Sequence, residues 1–391
     1  MYFCYTDLKY KRMNFDLTEE HLMIRDAARD FAQNELLSGV IERDEKQEFP
    51  TDQVKKMAEL GFMGMMVSPE YGGGGMDTIS YVLAMEEISK IDASCSVIMS
   101  VNNSLVCWGL ETYGSQKQKD KYLRRLATGE IIGAFCLSEP EAGSDATSQR
   151  TTAIDNDDHY ILNGTKNWIT NGNSASVYLV IAQTDHALGH KGINAFIVEK
   201  ETDGVIVGKK EDKLGIRGSD THSIMFTDVK VPKENRIGEN GFGFSFAMKT
   251  LSGGRIGIAA QALGIASGAY ELSLKYSKER KAFGKEISNH QAIAFKLADM
   301  ATEIEAARLL CLKAAWLKDN GMNYDKESAM AKVYASETAM KTATEAVQVH
   351  GGYGFVKEYH VERLMRDAKI TQIYEGTSEI QRIVISRSVL K

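Results

Sequence analysis

The sequence predicts an α+β protein in which two helical domains flank a β domain. Apolar residues recur at helical spacing from about residue 16 to 130, whereas short runs rich in Val, Ile, Tyr and Thr occupy about 131 to 240. Helical spacing returns from about 241 and persists over long segments. A chain of 391 residues, 43% of them apolar, is long enough to bury the cores of two or three domains.

The N-terminal helical domain is predicted to span residues 13–130. Its first helix begins within "MNFDLTEEHLMIRDAARDFAQ", with Asp16 or Thr18 as the N-cap. Residues 1–12 precede this pattern, and we expect them to form an N-terminal extension with little structural role.

The middle domain is predicted to span residues 131–240. Runs such as "SVYLVIAQ", "INAFIVE" and "HSIMFTDVKVP" are separated by turn residues and are typical of strands. No helix-length segments alternate with them, so an antiparallel β-barrel or sandwich is favoured over a βαβ sheet. The Rossmann and P-loop fingerprints are absent, which disfavours a nicotinamide or ATP enzyme of the usual kind.

The C-terminal domain, residues 241–391, is predicted to be a four-helix bundle. Within "QAIAFKLADMATEIEAARLLCLKAAWLK", apolar residues from Ile293 to Leu310 recur three and four positions apart and form one stripe. Two further helices of similar length are predicted at 255–280 and 325–349, and a Gly-Gly pair follows the second as a C-terminal cap.

The net charge and the cysteine pattern disfavour several classes of function. The net charge is −6, so no global positive field would attract nucleic acid or an anionic membrane. The five cysteines are scattered and never form a CxxC pair, and His186 and His190 have no third ligand nearby, so we expect neither disulfides nor a metal site. No run of about 18 apolar residues is evident, nor a secretory or transit segment. We therefore expect a cytoplasmic protein with a small-molecule ligand.

The stretch "KITQIYEGTSEIQR" places Glu375 beside a glycine that interrupts a helical pattern. Glycine in a helix interior costs about 0.5 to 1 kcal/mol relative to alanine, so the helix is expected to break here. A carboxylate at such a break either caps the next helix or carries out chemistry.

Four segments together resemble one enzyme family. They are "FCLSEPEAGSDA" at 135–146, "NGTKNWITNG" at 163–172, "ERKAFGK" with "HQAIAFKLADM" between 279 and 300, and "QVHGGYGF" through "MRDAKITQIYEGTSEIQR" at 348–382. The chain resembles the acyl-CoA dehydrogenase family over nearly its whole length, and looks most like the short-chain (butyryl-CoA) branch.

The resemblance implies FAD-dependent α,β-dehydrogenation of a short-chain acyl-CoA to the trans-2-enoyl-CoA. Such a reaction removes an α-proton and passes a β-hydride to flavin N5, so the site needs a carboxylate base, an oxyanion stabiliser and polar contacts to the flavin. Glu375 matches the family's base, and burial by a bound acyl chain should raise its pKa. The enolate oxygen would be bound by the backbone N–H of Glu375 and a flavin ribityl hydroxyl.

The resemblance also implies the binding residues. Residues expected near the flavin ring are Phe135, Leu137, Ser138, Ser144, Trp168 and Thr170. Residues expected to reach a neighbouring subunit's FAD are Arg280, Phe283, Gln291, Gln348, Gly351 and Gly352. Thr377 and Glu379 would also contact the cofactor, and Ser144, Arg255 and Gly376 the substrate. This arrangement implies a homotetramer built as a dimer of dimers.

Two of these residues have plainer interpretations, and two neighbours need comment. Strand tryptophans are usually core residues, so Trp168 alone would predict a core aromatic, and Arg255 could form a helix-surface ion pair. Ser252 occupies a position where the family often has an acidic residue, which leaves any adenine contact there in doubt. Some relatives supply the base from the neighbourhood of Gly254, but glycine cannot, which leaves Glu375.

Several functions remain open at this point. The enzyme would pass electrons to an electron-transferring flavoprotein, but a medium-chain or branched-chain preference is possible from the sequence. An enoyl-CoA reductase acting in the reverse direction with a bifurcating partner is a second alternative. A third, of a different class, is a flavin-containing binding protein of the same fold without dehydrogenase activity.

Overall fold

The structure, a computed structural model, describes residues 16–391. The predicted extension 1–12 and the first residues of the predicted N-terminal domain lie outside the described residues. Helix α1 begins after Thr18, whose hydroxyl accepts from the backbone N–H of His21 at 3.2 Å while the His21 ring faces the Thr18 N–H at 3.3 Å. Thr18 is therefore the N-cap, one of the two residues that the sequence predicted.

The first third of the described chain is helical. Its α-helices are α1 (Glu19–Phe31), α2 (Val40–Lys46), α3 (Thr51–Glu59), α4 (Thr78–Ile91), α5 (Ala93–Ser100), α6 (Trp108–Tyr113), α7 (Gln116–Gln118) and α8 (Arg124–Ala127). Three π-helical segments continue them, at Ala32–Leu36, Val101–Cys107 and Lys119–Leu123.

One helical stretch among residues 16–391, Ala93–Tyr113, is long and apolar enough to cross a membrane by length and composition alone. Of its most apolar window, 94% is buried inside the fold. Serines and asparagines interrupt the stretch, so it is not the continuous apolar run that the sequence was found to lack, and several of these polar side chains are buried and hydrogen-bonded. Asn102, for example, donates to the carbonyls of Met63 (2.8 Å) and Leu126 (3.0 Å).

The middle third forms a single sheet of eight strands within the described residues. The strands are β1 (Gly133–Cys136), β2 (Thr152–Asn156), β3 (His159–Thr170), β4 (Val177–Gln183), β5 (Ile193–Glu199), β6 (Val205–Lys210), β7 (Thr221–Pro232) and β8 (Arg236–Ile237). Their order is β6-β7-β3-β2-β4-β5-β8, with β1 also paired to β4.

The prediction of a β domain is correct, but its predicted type needs correction. The sheet does not close into a barrel, since its path begins at β6 and ends at β8. It is also not wholly antiparallel, because β1 and β2 both pair with β4 in parallel. The chain places the β2–β3 hairpin between β1 and β4, so strands that are neighbours in space are not neighbours in sequence.

Both faces of the central strands are covered. One face of β4 and β5 contributes Leu179, Ile181 and Ile197 to a core shared with the helices, and the alternate residues Tyr178 and Val180 lie in a second core beneath the sheet. This alternation is the period-2 geometry of a strand. Burial on both faces explains why β4 appears in the sequence as a continuous apolar run.

The last third is a helical bundle. Its helices are α9 (Gly243–Glu279), α10 (Gln291–Asp319), α11 (Asp325–His350), α12 (His360–Thr371) and α13 (Ser378–Val389), with a small hairpin of β9 (Lys281–Ala282) and β10 (Lys285–Glu286) after α9. Along the whole described chain, short 3-10 turns connect these helices and strands, at Phe62–Gly64, Pro69–Tyr71, His186–Gly192, Lys233–Asn235, Ile287–Asn289 and Gly351–Phe355. Helix α9 packs against α4, α10, α11 and α12, so the two helical regions share one core.

Candidate active site

Glu375 lies in the turn between α12 and α13, in an unusual backbone conformation. Its φ is 52° and that of Gly376 is 95°, so two successive residues adopt positive φ. Such a conformation is uncommon for a residue with a side chain, and it needs support from its surroundings. The N-cap of α13 is Thr377, whose hydroxyl accepts from the Ile380 N–H at 3.3 Å. The interpretation of Glu375 as a helix cap is therefore wrong.

The Glu375 carboxylate projects into the interior beside α9. The residue as a whole is half-buried, but its Oε2 atom is shielded from solvent and has no hydrogen-bond partner. A Cβ atom added at Gly254 would overlap Oε2 and lie 2.8 Å from Leu105 Cδ2. The missing side chain at Gly254 thus makes the space in which the carboxylate lies.

Burial changes the acidity of this carboxyl group. Desolvation raises the pKa of Glu375 to about 7, while the cations of Lys332 and Arg255 act in the opposite direction. A carboxylate with a pKa near neutrality and an unpaired, buried oxygen is suited to accept a proton from a bound molecule.

The peptide bonds around Glu375 are bound by two helices. Lys332, from α11, is fully buried and donates from Nζ to the carbonyl of Gly376 at 2.8 Å. Gln381, from α13, donates from Nε2 to the carbonyls of Gly376 (2.8 Å) and Glu375 (3.1 Å). Sequence reasoning missed both residues. A signal existed for Lys332, because it lies on the small-residue stripe of α11 formed with Ser328 and Ala335, where a solvent-exposed lysine is not expected.

Arg255 is buried in α9, with only 6% of its surface exposed. Its interpretation as a helix-surface ion pair is therefore wrong. Its NH1 group lies 3.5 Å from the Ser252 hydroxyl, and its Nε has no partner. Burial lowers the pKa of Arg255, while Asp325 and Glu375 act to raise it.

Trp168 lies on a β-bulge in β3, where the pairing with β7 shifts register between Lys166 and Ile169. Its φ is 61° and its side chain is 63% exposed, so the interpretation as a core aromatic is wrong. The bulge turns the indole outward while the flanking Ile169 stays buried. Thr170, at the end of the same strand, is half-buried and pairs with Thr221.

The segment after β1 is anchored by a buried cation. Lys166 donates from Nζ to the carbonyl of Leu137 (3.1 Å), to Glu139 (2.6 Å) and to Gln149 (3.2 Å). The backbone carbonyl of Ser138 accepts from the Asn167 N–H at 2.8 Å, which connects this segment to β3 beside the bulge. Among the predicted flavin residues here, Phe135 is buried, Leu137 and Ser138 are half-buried, and Ser144 is exposed.

A second group of predicted residues meets at the far end of α9. An open groove of about 540 Å³ is lined by Tyr276, Arg280, Ile287, Val349, His350, Gly351, Gly352, Tyr353 and Val356. The Arg280 guanidinium lies over the Tyr353 ring at 5.6 Å. Phe283, in the turn of the nearby hairpin, is 96% exposed with φ 54°. Gln291 and Gln348 are exposed at the ends of α10 and α11.

The predicted site residues therefore lie in three separate regions of the structure. Glu375, Gly376 and Arg255 meet beside Gly254, and Arg280, Gly351 and Gly352 line the groove. The residues of the sheet lie elsewhere, since none lines that groove. Thr377 is occupied as the cap of α13, and Glu379, in the first turn of α13, is exposed. Residues 16–391 contain no group of three or more His, Cys, Asp and Glu side chains arranged to hold a metal ion.

Comparison with known proteins identifies the family. The models described as Acyl-CoA dehydrogenase N-terminal, middle and C-terminal domain match residues 18–130, 134–229 and 241–390. The short-chain specific acyl-CoA dehydrogenase of Clostridium acetobutylicum is 50% identical over 379 residues, covering 97% of this chain and 100% of that protein. The caffeyl-CoA reductase-Etf complex subunit CarC of Acetobacterium woodii is 49% identical over 375 residues, covering 96% and 99%.

A solved structure agrees with these sequence matches. The butyryl-CoA dehydrogenase of Megasphaera elsdenii superposes with a TM-score of 0.95 at 48% identity, covering 97% of this chain and 100% of that chain. The fold and the match define a flavoprotein oxidoreductase. The chain belongs to the acyl-CoA dehydrogenase family, as its sequence motifs predicted.

The residues present fit FAD, the cofactor of this family. Trp168 offers an exposed indole on a β-bulge with positive φ, and residues held in such conformations cluster at ligand sites. A Cβ added at Gly351 or Gly352 would meet nothing within 4 Å, so bare backbone faces the groove. Close approach of a ligand to backbone is a common reason for such glycines.

Proposed function

We propose that this enzyme oxidises short-chain acyl-CoA thioesters to trans-2-enoyl-CoA and passes the electrons to an electron-transferring flavoprotein. The observation that carries the proposal is the buried, unpartnered Oε2 of Glu375, whose pKa is raised to about 7. The similarity to short-chain acyl-CoA dehydrogenases at about 50% identity supports the substrate class.

Glu375 acts as the base in this proposal. Oε2 accepts the α-proton of the thioester, because it has no competing donor and its ionised form is destabilised by burial. The backbone N–H of Glu375 donates to the thioester oxygen as negative charge develops there. FAD, when bound, would supply the acceptor for the hydride that leaves the β-carbon. Gly254 provides the space for the carboxylate, and Arg255 and Gly376 border the substrate.

The binding residues are assigned as the resemblance implies. Residues proposed to hold the flavin ring or the mouth of the site are Phe135, Leu137, Ser138, Ser144, Trp168 and Thr170. Those proposed to hold a neighbouring subunit's FAD are Arg280, Phe283, Gln291, Gln348, Gly351 and Gly352, together with Thr377 and Glu379 near the base. The exposure of Phe283 supports the second set, since a phenylalanine that is 96% exposed suits contact with another surface.

We further propose a cytoplasmic homotetramer, a dimer of dimers, with domains at 13–130, 131–240 and 241–391. Exposed aromatic residues support assembly through the C-terminal bundle: Phe283 is 96% exposed, Phe355 85% and Phe295 59%. Large exposed apolar side chains on one region of a protein mark interaction surfaces.

A second candidate function is enoyl-CoA reduction in the reverse direction. The 49% identity to a subunit of a caffeyl-CoA reductase-Etf complex favours it. The base would then return a proton to the α-carbon, so the same residues serve both directions.

Anaerobic titration of the purified holoenzyme with acyl-CoA thioesters tests the proposal. We expect butyryl-CoA to bleach the flavin in the titration. In steady-state assays octanoyl-CoA should then have the lower specificity constant, because a site that fits a short acyl chain rejects extra methylenes. A higher specificity constant for octanoyl-CoA would indicate a medium-chain enzyme, and branched thioesters would test the branched-chain alternative. If no thioester reduces the flavin and no enoyl-CoA reoxidises it, the protein is a flavin-containing binding protein instead.

A further inference from the structure

Lys332, on α11, is hydrogen-bonded to the centre of the turn that carries Glu375 and Gly376. Glu337 of the same helix accepts from Gln372 (2.7 Å) and Ser378 (2.9 Å) at the two ends of that turn. Lys332 is fully buried, and its ammonium donates to the Gly376 carbonyl at 2.8 Å. Burying a lysine is costly unless its charge is compensated, so its position in the small-residue stripe of α11 calls for an explanation. Its hydrogen bond ends on the carbonyl of the residue that directly follows Glu375.

We propose that Lys332 is a positioning residue for the base: its ammonium fixes the Glu375–Gly376 turn and stabilises the ionised carboxylate of Glu375. This inference rests on the proposed function, because it assigns a role relative to Glu375. The positive φ values of Glu375 and Gly376 require support, and the bond to the Gly376 carbonyl supplies it from a long, rigid helix. The other donor to that carbonyl, Gln381, belongs to α13 and carries no charge.

The charged groups around Lys332 and Glu375 determine how the loss of the Lys332 charge would change the pKa of Glu375. Lys332 faces Glu375, Arg255 from α9, Glu337 from its own helix and Glu379 from α13. Glu375 faces Lys332 and Arg255, and it also raises the pKa of the hydroxyls of Tyr81 on α4 and Tyr374. Burial lowers the pKa of Lys332 to about 8, so it is mostly charged at pH 7. Of the two cations, Arg255 would remain when Lys332 is removed.

The experiment compares Lys332→Met with Lys341→Met. Lys341 lies on the same helix but is exposed and pairs with Glu303, so its substitution removes a cation without touching the turn. Flavin reduction by butyryl-CoA is followed by stopped flow as a function of pH. We expect the midpoint for Lys332→Met to move upward by about one pH unit or more, since a nearby cation lowers a carboxyl pKa by about 1 to 3 units. The midpoint for Lys341→Met should not move.

A second readout follows the carboxyl group itself. Infrared difference spectra during a pH titration report the carboxylic acid C=O stretch that Glu375→Gln lacks, and this band should persist to higher pH in Lys332→Met. If Lys332→Met does not fold, Lys332→Gln is measured in the same way and must show the same upward shift, because it also lacks the charge.

The outcomes separate this inference from the proposed function. If Glu375→Gln abolishes reduction but the Lys332 variants keep the parent's midpoint and infrared titration, Lys332 is only structural and the inference is wrong. If Glu375→Gln reduces its flavin at the parent rate, Glu375 is not the base. The proposed function is then wrong, and the inference about Lys332 is wrong with it.

Discussion

Substituting Gly254 by alanine tests whether the position of the Glu375 carboxylate controls the chemistry. The added Cβ would lie less than 3.0 Å from Glu375 Oε2, a separation that real Cβ atoms essentially never show. It would also lie 2.8 Å from Leu105 Cδ2. To restore ordinary contact the carboxylate must withdraw by about 1 Å or more. The fold should tolerate this, because Oε2 is the end of a flexible side chain and alanine favours helix over glycine by about 0.5 to 1 kcal/mol.

The expected result is a loss of rate with little loss of stability. A misplacement of about 1 Å can cost on the order of 10²-fold in rate, so Gly254→Ala should reduce its flavin about 10²-fold more slowly with saturating butyryl-CoA. Stopped-flow bleaching measures the rate, and visible absorbance measures bound FAD.

A matched control lies next to it on α9. A Cβ at Gly253 would meet only the Tyr324 hydroxyl, at 3.9 Å, so Gly253→Ala gains the same helix propensity without displacing Glu375. It should reduce its flavin within a few-fold of the parent rate. Equal rates for Gly254→Ala and the parent would refute the assignment of Gly254 as the residue that makes room for the base.

Three further predictions follow from the site and the groove. Because the base must be ionised and the pKa of Glu375 is about 7, the rate of flavin reduction should rise as the pH increases through about 7 and then level off; a flat profile between pH 5.5 and 8.5, roughly 1.5 units either side, would contradict this. Arg280→Ala should weaken both FAD retention and assembly, measured by absorbance and gel filtration, whereas the exposed neighbour Lys278→Ala should not; tight FAD in an assembled Arg280→Ala would reject the cross-subunit assignment. The specificity constant for butyryl-CoA should exceed that for octanoyl-CoA, and the reverse order in steady-state assays would remove the short-chain assignment.

The helices were largely predictable because their apolar spacing is regular. The middle of the predicted stripe is buried in α10, at Leu297, Met300, Ile304 and Ala307, while its end residues Ile293 and Leu310 are half-buried. Helix α11 ends one residue from its predicted end. The start of α9 was placed twelve residues late, at 255 instead of Gly243. Its glycines argue against a helix locally, but they allow close packing: a Cβ at Gly257 would lie 2.6 Å from the Tyr81 hydroxyl. Such tertiary contacts are not visible in local propensity.

Long-range geometry explains the other differences. The parallel pairing of β1 with β4 joins strands about 40 residues apart in sequence, which no local pattern encodes. The exposure of Trp168 depends on a bulge, and the burial of Arg255 and Lys332 depends on packing between helices. Glu375, in contrast, was identified from its motif, while its buried oxygen and the glycine that accommodates it became evident only in three dimensions.

Replacement of Glu375 by glutamine tests the central claim most directly. Glutamine keeps the size and hydrogen-bonding capacity of the side chain but has no basic carboxylate, so FAD and butyryl-CoA should still bind. Flavin reduction should fall by at least the 10²- to 10⁴-fold that is typical of acid–base catalysis. Glu59→Gln, at the exposed end of α3, is a charge-matched control that should keep the parent rate. A Glu375→Gln variant that binds both molecules and reduces its flavin within a few-fold of the parent would show that Glu375 is not the base.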